Sequence, residues 1–295
     1  MNNNNNAGRL ILQIYMGIFL VFMLAPLIVM GGAAINDSRF PSVYPWKGLT
    51  ERWFIDLWND PRMWTSIRNT VFVAVAVVGL SVPIGTAGAI LLNSLQAKAR
   101  SFIYGVMVAP ILTPGAVIGI STLLFWNMLG RPIGAQDSLP FIAGLHLSVL
   151  GQVSFIAAYV MLLVLARLQS FDPGLEEAAL DLGASHAQVM RRILLPHLYP
   201  AIGAGALIAF FQSVENFNIT LFTRGNSDTL TVYVGSKVRT GITPTINALA
   251  LCLILLTVIG AIAYEISRRR AAARDLADAK AQQKAEAAEL QTAGA

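Results

Sequence analysis

The sequence predicts an all-α integral membrane protein with six transmembrane helices. Two observations carry that expectation. Hydrophobic residues make up 55% of the 295 residues and charged residues only 13%, about half the ~25% of soluble domains. A water-facing surface would then be largely apolar, which excludes a soluble enzyme. The second observation is length: a helix needs about 20 apolar residues to cross the ~30 Å hydrocarbon core, where lipid offers the backbone no hydrogen-bond partners. Six runs meet it, at 10–35, 70–92, 102–129, 141–165, 200–222 and 246–266.

Along the chain, residues 1–9 begin with an asparagine run, Asn2 to Asn6, which is polar, low in complexity and expected to be disordered. The first run follows Arg9 but far exceeds the ~7–15 apolar residues of a secretion signal, so it is read as a retained anchor. An even number of spans puts both termini on one side. The cluster Arg268, Arg269, Arg270 argues that this side is the cytoplasm, but Lys and Arg divide only twelve to nine between the two sets of loops, so charge alone leaves the orientation open. The net charge of +5 therefore belongs to membrane topology, and no nucleic-acid partner is expected. One cysteine, Cys252, cannot form an internal disulfide, and His146, His186 and His197 lack metal-ligand spacing. No metal is expected.

The segment 36–68 holds Trp46, Trp53, Trp58 and Trp64. With Thr50 as a cap, Trp53, Phe54, Leu57 and Trp58 share one face of a short helix, as in an element lying in the headgroup region. Such an element is either an interfacial anchor or a docking surface for an outside partner.

The segment 167–200 is polar but patterned. Asp172-Pro173 is a helix start, and Leu175, Ala178, Ala179 and Leu182 then line one face. Gly183 breaks that helix, Ser185 to Gln188 fits a capping box, and a second helix is expected to reach Leu195 before Pro196. Two short helices joined by a glycine turn, with a smooth apolar face that lipid cannot hold, need a groove to dock into. The spacing Glu177-Ala178-Ala179, three residues, Gly183, nine residues, then Ile193-Leu194-Leu195-Pro196 resembles the EAA loop of ATP-binding-cassette (ABC) importer permeases, without a gap.

That resemblance implies a type I ABC importer permease fold with cytoplasmic N- and C-termini, in a bacterial inner membrane. It implies a permease domain at 10–270, a coupling loop at 167–199 and a cytoplasmic Ala/Gln/Lys-rich tail at 271–295. Glu177, Ala178, Ala179, Gly183, Ile193, Leu195 and Pro196 would seat in a cleft of a partner ATPase dimer. Glu177 either pairs with a group on that partner or is a solvated charge at a helix start. The sequence holds no G-x-x-x-x-G-K-[ST] loop, so ATP and Mg are expected on the partner and no catalytic residue on this chain. A second, non-identical permease subunit and a periplasmic or lipid-anchored substrate-binding protein complete the implied assembly, within membrane lipid.

The fifth run carries Gln212, Glu215, Asn216 and Asn218, and an acid at mid-membrane costs about 2.5–3.5 kcal/mol on insertion scales. Gln212, Glu215 and Asn216 share a helical face that should turn to a wet cavity or a neighbouring subunit. They would either bind a cationic substrate or form structural hydrogen bonds. Ser213-Val214-Glu215-Asn216, Leu230-Thr231-Val232-Tyr233-Val234 and Thr243-Pro244-Thr245-Ile246-Asn247-Ala248-Leu249 resemble the second permease subunit of spermidine/putrescine importers. A polyamine cargo is implied, with one departure: those permeases place two adjacent acids where this chain has Glu215 and Asn216. Another small solute (an amino compound, iron, an oxyanion or a sugar) is the alternative reading. An ion-coupled secondary transporter using Glu215, or an intramembrane enzyme using His146 with Ser148 or Ser154, lacks a supporting repeat or spacing.

The loop 223–245 is expected to be a connection or a contact for the substrate-binding protein. Pro26, Pro83, Pro110 and Pro114 fall inside spans and are candidate kinks. Cys252 reads as a small buried residue, and the tail beyond Arg270 as a frayed helix or disordered segment.

Overall fold

A computed structural model describes the backbone of residues 3–241 and 243–293, and the side chains of residues 8–241, 243–270 and 273. Among the described residues twelve α-helices follow in chain order: α1 Asn3–Ile35, α2 Arg52–Trp58, α3 Pro61–Ser94, α4 Ala97–Leu112, α5 Gly115–Gly130, α6 Leu145–Leu168, α7 Pro173–Asp181, α8 His186–Val189, α9 Leu195–Val214, α10 Asn218–Thr223, α11 Leu230–Thr240 and α12 Pro244–Ala293. Six helical stretches among the described residues are long and apolar enough to span a membrane: Gly8–Ile35, Pro61–Ser94, Gly115–Ile133, Leu145–Leu168, His186–Val214 and Pro244–Arg270. The six-span expectation holds, with differences at two runs.

The third run is not one helix. It divides into α4 and α5 at Thr113-Pro114, and Pro114 caps α5 instead of kinking a continuous span. Proline cannot donate to Pro110, and it disfavours helical backbone at Thr113, so the ladder stops there. The fifth run also breaks: α9 ends at Val214 and α10 begins at Asn218. Helical backbone already starts at Asn3, inside the asparagine stretch whose composition suggests disorder, because extending an existing helix costs far less than nucleating one. At the other end α12 runs on through the tail to Ala293. Met1, Asn2, Gln-rich tail side chains after residue 273, and the last two residues lie outside the described set.

The chain forms two compact units, Met1–Asn59 with Gly241–Ala295, and Asp60–Thr240. In the first, α1 packs along α12 and α2 packs on α12. The buried Asn36 organises the following loop, its amide donating to the carbonyls of Ser42 (2.8 Å) and Pro45 (3.1 Å) and its Oδ1 accepting from Lys47 N (2.9 Å). Trp53 donates Nε1–H to the Asn36 carbonyl at 2.9 Å and is buried with Leu57, whereas Trp58 is 68% exposed. The expected common face of α2 is thus divided: Trp53 is a core residue here, held by its own hydrogen bond. Cys252 is exposed, not buried, because α12 touches other described residues along only a narrow strip of its surface.

The second unit is centred on α6. Its buried residues Val149, Val153, Ile156, Val160, Met161, Val164, Leu165 and Leu168 interdigitate with Val73, Val77, Ala89 and Leu92 of α3 and with Leu198 and Ala209 of α9. α6 is the most enclosed of the spans, while α5 leaves most of its apolar surface outward, as expected of helices that face lipid or a neighbouring subunit.

Candidate functional site

Two places in the second unit hold the residues singled out by sequence. The first is the hairpin after α6. Asp172 caps α7, its Oδ1 accepting from Gly174 N at 2.9 Å, with Pro173 in the first turn. The chain reverses at Gly183, whose φ of +85° is a left-handed conformation that a Cβ penalises. The turn closes with Gly183 N to Leu180 O (2.9 Å) and Ala184 N to Ala179 O (3.0 Å). The expected capping box is present: Gln188 N donates to Ser185 Oγ at 3.3 Å and Ser185 N donates to Gln188 Oε1 at 2.8 Å.

The second hairpin helix departs from expectation at its end. α8 does not stop before Pro196; it passes through a π-helical turn, Met190–Leu194, directly into α9. Leu195 N bonds to Met190 O, five residues back, and this widened turn accommodates a proline that cannot donate to Arg192. One helical path of 29 residues therefore runs from His186 to Val214, roughly 43 Å at 1.5 Å per residue. Leu194 and Leu198 anchor it in the core, Ile193 and Leu195 are half-buried, and Pro196 is exposed. Outward face Leu175 at 53% and Leu182 at 89% exposure, together with exposed Glu177, Ala178 and Gly183; Ala179 is half-buried.

Sequence reasoning missed the hairpin's tie to α6. Arg167 Nε donates to His197 O at 3.2 Å, His197 Nε2 donates to Arg167 O at 3.4 Å, and the Phe171 and His197 rings meet edge to face at 5.3 Å. The signal available was positional, since each of these residues flanks the hairpin.

The second place is a cavity of about 280 Å³ where α9 breaks. Because α9 ends at Val214, Gln212, Glu215 and Asn216 do not share one helical face as expected; the break turns them, with Asn218, onto the wall of this cavity. Phe155 and Tyr159 of α6 join them there, their rings 6.1 Å apart edge to face. Asn216 has a structural duty: its Oδ1 accepts from Ile219 N (3.2 Å) and Thr220 N (3.4 Å), capping α10. Among the described residues, the Glu215 carboxylate is exposed and has no hydrogen-bond or ion-pair partner.

Behind the cavity lies a buried polar ladder that the sequence did not reveal. Gln152 of α6 donates Nε2–H to Thr220 Oγ1 at 2.9 Å and accepts at Oε1 from Ser213 Oγ at 2.6 Å. Ser148 bonds Thr223 at 2.9 Å, and Thr223 donates on to Ile219 O at 2.9 Å. Ser148 and Ser154 thus have separate partners from His146, which bonds Pro140 O at 2.9 Å, while Ser154 donates to Gly151 O at 2.7 Å. No nucleophile–base pair is assembled from these three. Among the described residues no three His, Cys, Asp or Glu side chains gather as a metal site requires.

The segment 223–245 is more than a connection, for it contains the amphipathic α11 with buried Val232 and Tyr233. Asp228 accepts from Arg62 Nη2 (2.7 Å) and Arg224 Nη1 (2.6 Å). Asp60, the cap of α3, accepts from Tyr233 Oη at 2.8 Å and pairs with Lys237 Nζ at 3.3 Å. Burial pushes the Asp60 carboxyl up, but the bonds from Tyr233, the Arg62 backbone and Lys237 together hold it below its ordinary value. Burial, then the bond to Asp60, raises the Tyr233 phenol.

Residues 81–273 match the family described as binding-protein-dependent transport system inner membrane component. The spermidine/putrescine transport system permease protein PotC of Escherichia coli (strain K12) is 28% identical over 263 residues, 89% of this chain and 95% of that protein. The putrescine transport system permease protein PotI of the same organism is 33% identical over 251 residues, 84% of this chain and 87% of that protein. A crystal structure of a bacterial ABC transporter that imports the acidic polysaccharide alginate superposes with a TM-score of 0.71 at 20% identity, covering 90% of this chain and 96% of that one. The same kind of transporter in complex with an alginate pentasaccharide-bound periplasmic protein gives 0.69, also at 20%. The chain belongs to the binding-protein-dependent transport system inner membrane component family and is a permease subunit of an ABC importer, a multi-pass protein of the bacterial inner membrane.

Proposed function

We propose that the chain forms half of a translocation path and couples ATP hydrolysis on a separate ATPase dimer to uptake of a polyamine. It carries out no chemistry itself; ATP and Mg belong to the partner. A second permease subunit completes the path, a substrate-binding protein delivers cargo from outside, and both termini face the cytoplasm with the hairpin. The observation that carries this reading is mechanical. The second arm of the hairpin, from His186, is continuous through the 29-residue helical path with Gln212 on the cavity wall, and the exposed first arm, with Leu175, Glu177, Ala178 and Leu182, is held to it by the hydrogen-bonded Gly183 turn. A displacement of the hairpin's second arm by a closing ATPase dimer is therefore passed to the cavity along one helical path, as alternation between two states requires. Glu177→Lys or Gly183→Asp should abolish substrate-stimulated ATPase activity and uptake in reconstituted vesicles while membrane insertion stays normal. Wild-type coupling in either variant would refute the reading.

The cargo reading rests on the relatives PotC and PotI and on Glu215. An unpartnered carboxylate that lines the same cavity as Tyr159 and the Gln212 and Asn218 amides suits a cationic amine. Glu215→Gln should lower polyamine uptake about tenfold, the equivalent of about 1.4 kcal/mol, with basal ATPase activity unchanged; equal uptake would remove Glu215 from the path. A second reading is favoured by Asn216, whose side chain caps α10 and supplies no second charge. It is an amino compound with one cationic end. Calorimetry of the cognate binding protein with spermidine, putrescine and monoamines separates the two.

A further inference from the structure

A cavity of about 560 Å³ opens where α4 leaves α3 and passes the end of α6. Its wall is divided by chemistry: Leu162, Leu165 and Ala166 of α6 form an apolar side, and Arg100, Ser101 and Tyr104 of α4 a polar one. Arg100 also lines a neighbouring cavity of about 450 Å³ that continues past Gln169 to Phe171, Pro173 and Glu176, where the hairpin begins. Arg100 is a half-buried residue, yet among the described residues it has no carboxylate, hydrogen-bond or ring partner, and Glu176 makes no ion pair with it. A guanidinium on a cavity wall with no counter-ion of its own keeps its planar set of donors free for an incoming phosphate.

The position says which anion. α3 ends at Ser94 and α6 at Leu168, so Arg100 sits at the level where two spans leave the hydrocarbon, the depth of phospholipid phosphates. The cavity is open, and α4 beside it has no buried residue and exposes Phe102 at 73% and Val106 at 57%, a surface continuous with one that acyl chains can cover. We propose that this cavity binds an anionic phospholipid, its phosphate on the Arg100 guanidinium with Ser101 and Tyr104 hydroxyls as further donors, and an acyl chain along Leu162, Leu165 and Ala166. The headgroup then lies against the start of the hairpin, which makes the transporter's coupling element sensitive to the charge of the surrounding leaflet. This goes beyond the transport reading and does not depend on the cargo.

The test uses the full chain in nanodiscs of phosphatidylcholine with or without phosphatidylglycerol, followed by native mass spectrometry of retained lipid. Wild type should retain phosphatidylglycerol over phosphatidylcholine, and Arg100→Gln should lose about five-fold of that preference, the scale of one basic residue at an anionic surface. Arg100→Lys should keep part of it, and Lys98→Gln, at an exposed position outside the cavity wall, should keep all of it. Ala166→Phe, which fills the apolar side without altering charge, should reduce retention of both lipids and serves if Arg100→Gln folds poorly. Equal retention by wild type, Arg100→Gln and Ala166→Phe overturns the proposal. So does displacement of the lipid by millimolar inorganic phosphate, which would make this a free-anion site, or a photo-crosslinker at Tyr104 that labels a partner protein in place of lipid in native membranes.

Discussion

Asp60 does three things with one carboxylate. Oδ1 caps α3 by accepting from Arg62 N at 2.9 Å, and Oδ2 takes the Tyr233 hydroxyl and the Lys237 ammonium. All three partners favour the ionised form, so together they outweigh the opposing effect of burial and the folded-state pKa lies below the ordinary carboxylate value. A group whose pKa is depressed by folding contributes stability that is complete above its unfolded value and is lost as pH falls through its folded value. The contribution of Asp60 to the melting temperature should therefore be constant from neutral pH down to the ordinary carboxylate range and shrink progressively below it. Asp60→Asn should start lower and show a shallower acid decline, as followed by thermal unfolding in detergent across pH 7 to 3. An equally steep decline in the variant would assign the acid sensitivity to other carboxylates. Gln152 shows the opposite economy: fully buried, it uses both ends of its amide, and leaving either Ser213 or Thr220 unsatisfied would cost about 1–3 kcal/mol.

At the scale of elements, what could be read from sequence was local. The Asp172-Pro173 start, the Gly183 turn and the Ser185–Gln188 box all lie where the residues placed them, because each is a short-range bargain between a side chain and nearby backbone groups. The breaks were harder. Apolar run length cannot show that 102–129 is two helices, since Thr113-Pro114 interrupts the ladder without interrupting the hydrophobicity. Nor can it show that α9 stops at Val214, where Asn216 offers a competing cap for the next helix. Pro196 misled in the other direction: a proline usually marks an end, but a five-residue π turn upstream absorbs it and keeps the path continuous. The four polar residues of the fifth run did converge on one cavity, by a helix break and not by helical periodicity. Their aromatic neighbours Phe155 and Tyr159 come from α6, a pairing that only tertiary packing supplies. The same holds for Arg167 and His197, which join the hairpin to the core through backbone carbonyls 30 residues apart.

The second unit as a whole is held by how closely α3, α6 and α9 approach, since within lipid helix association depends on packing more than on hydrophobicity. Val160 of α6 is the shared knob: it fits a notch at Gly85 of α3 on one side and a notch at Gly205 of α9 on the other. The two notches differ in what surrounds them. A Cβ at position 85 would stand 2.6 Å from the Ala157 carbonyl oxygen, 2.7 Å from Val160 Cβ and 2.9 Å from Met161 N, so most of the obstruction is backbone. At position 205 the nearest atom is a methyl carbon, Val160 Cγ1, at 3.1 Å, which a change of side chain can remove. Gly85→Ala must push α3 from α6 and should cost at the upper end of the ~1–3 kcal/mol typical of overpacking, with Gly205→Ala near the lower end. Adding Val160→Ala should restore much of the melting temperature lost by Gly205→Ala and little of that lost by Gly85→Ala, because the backbone collision and the alanine Cβ both persist in the latter. Thermal unfolding of the four variants in one detergent reads this directly. Equal rescue of both glycine variants would mean that α3 and α6 can separate at small cost, and that the core of this unit is set by side-chain volume alone and not by backbone approach.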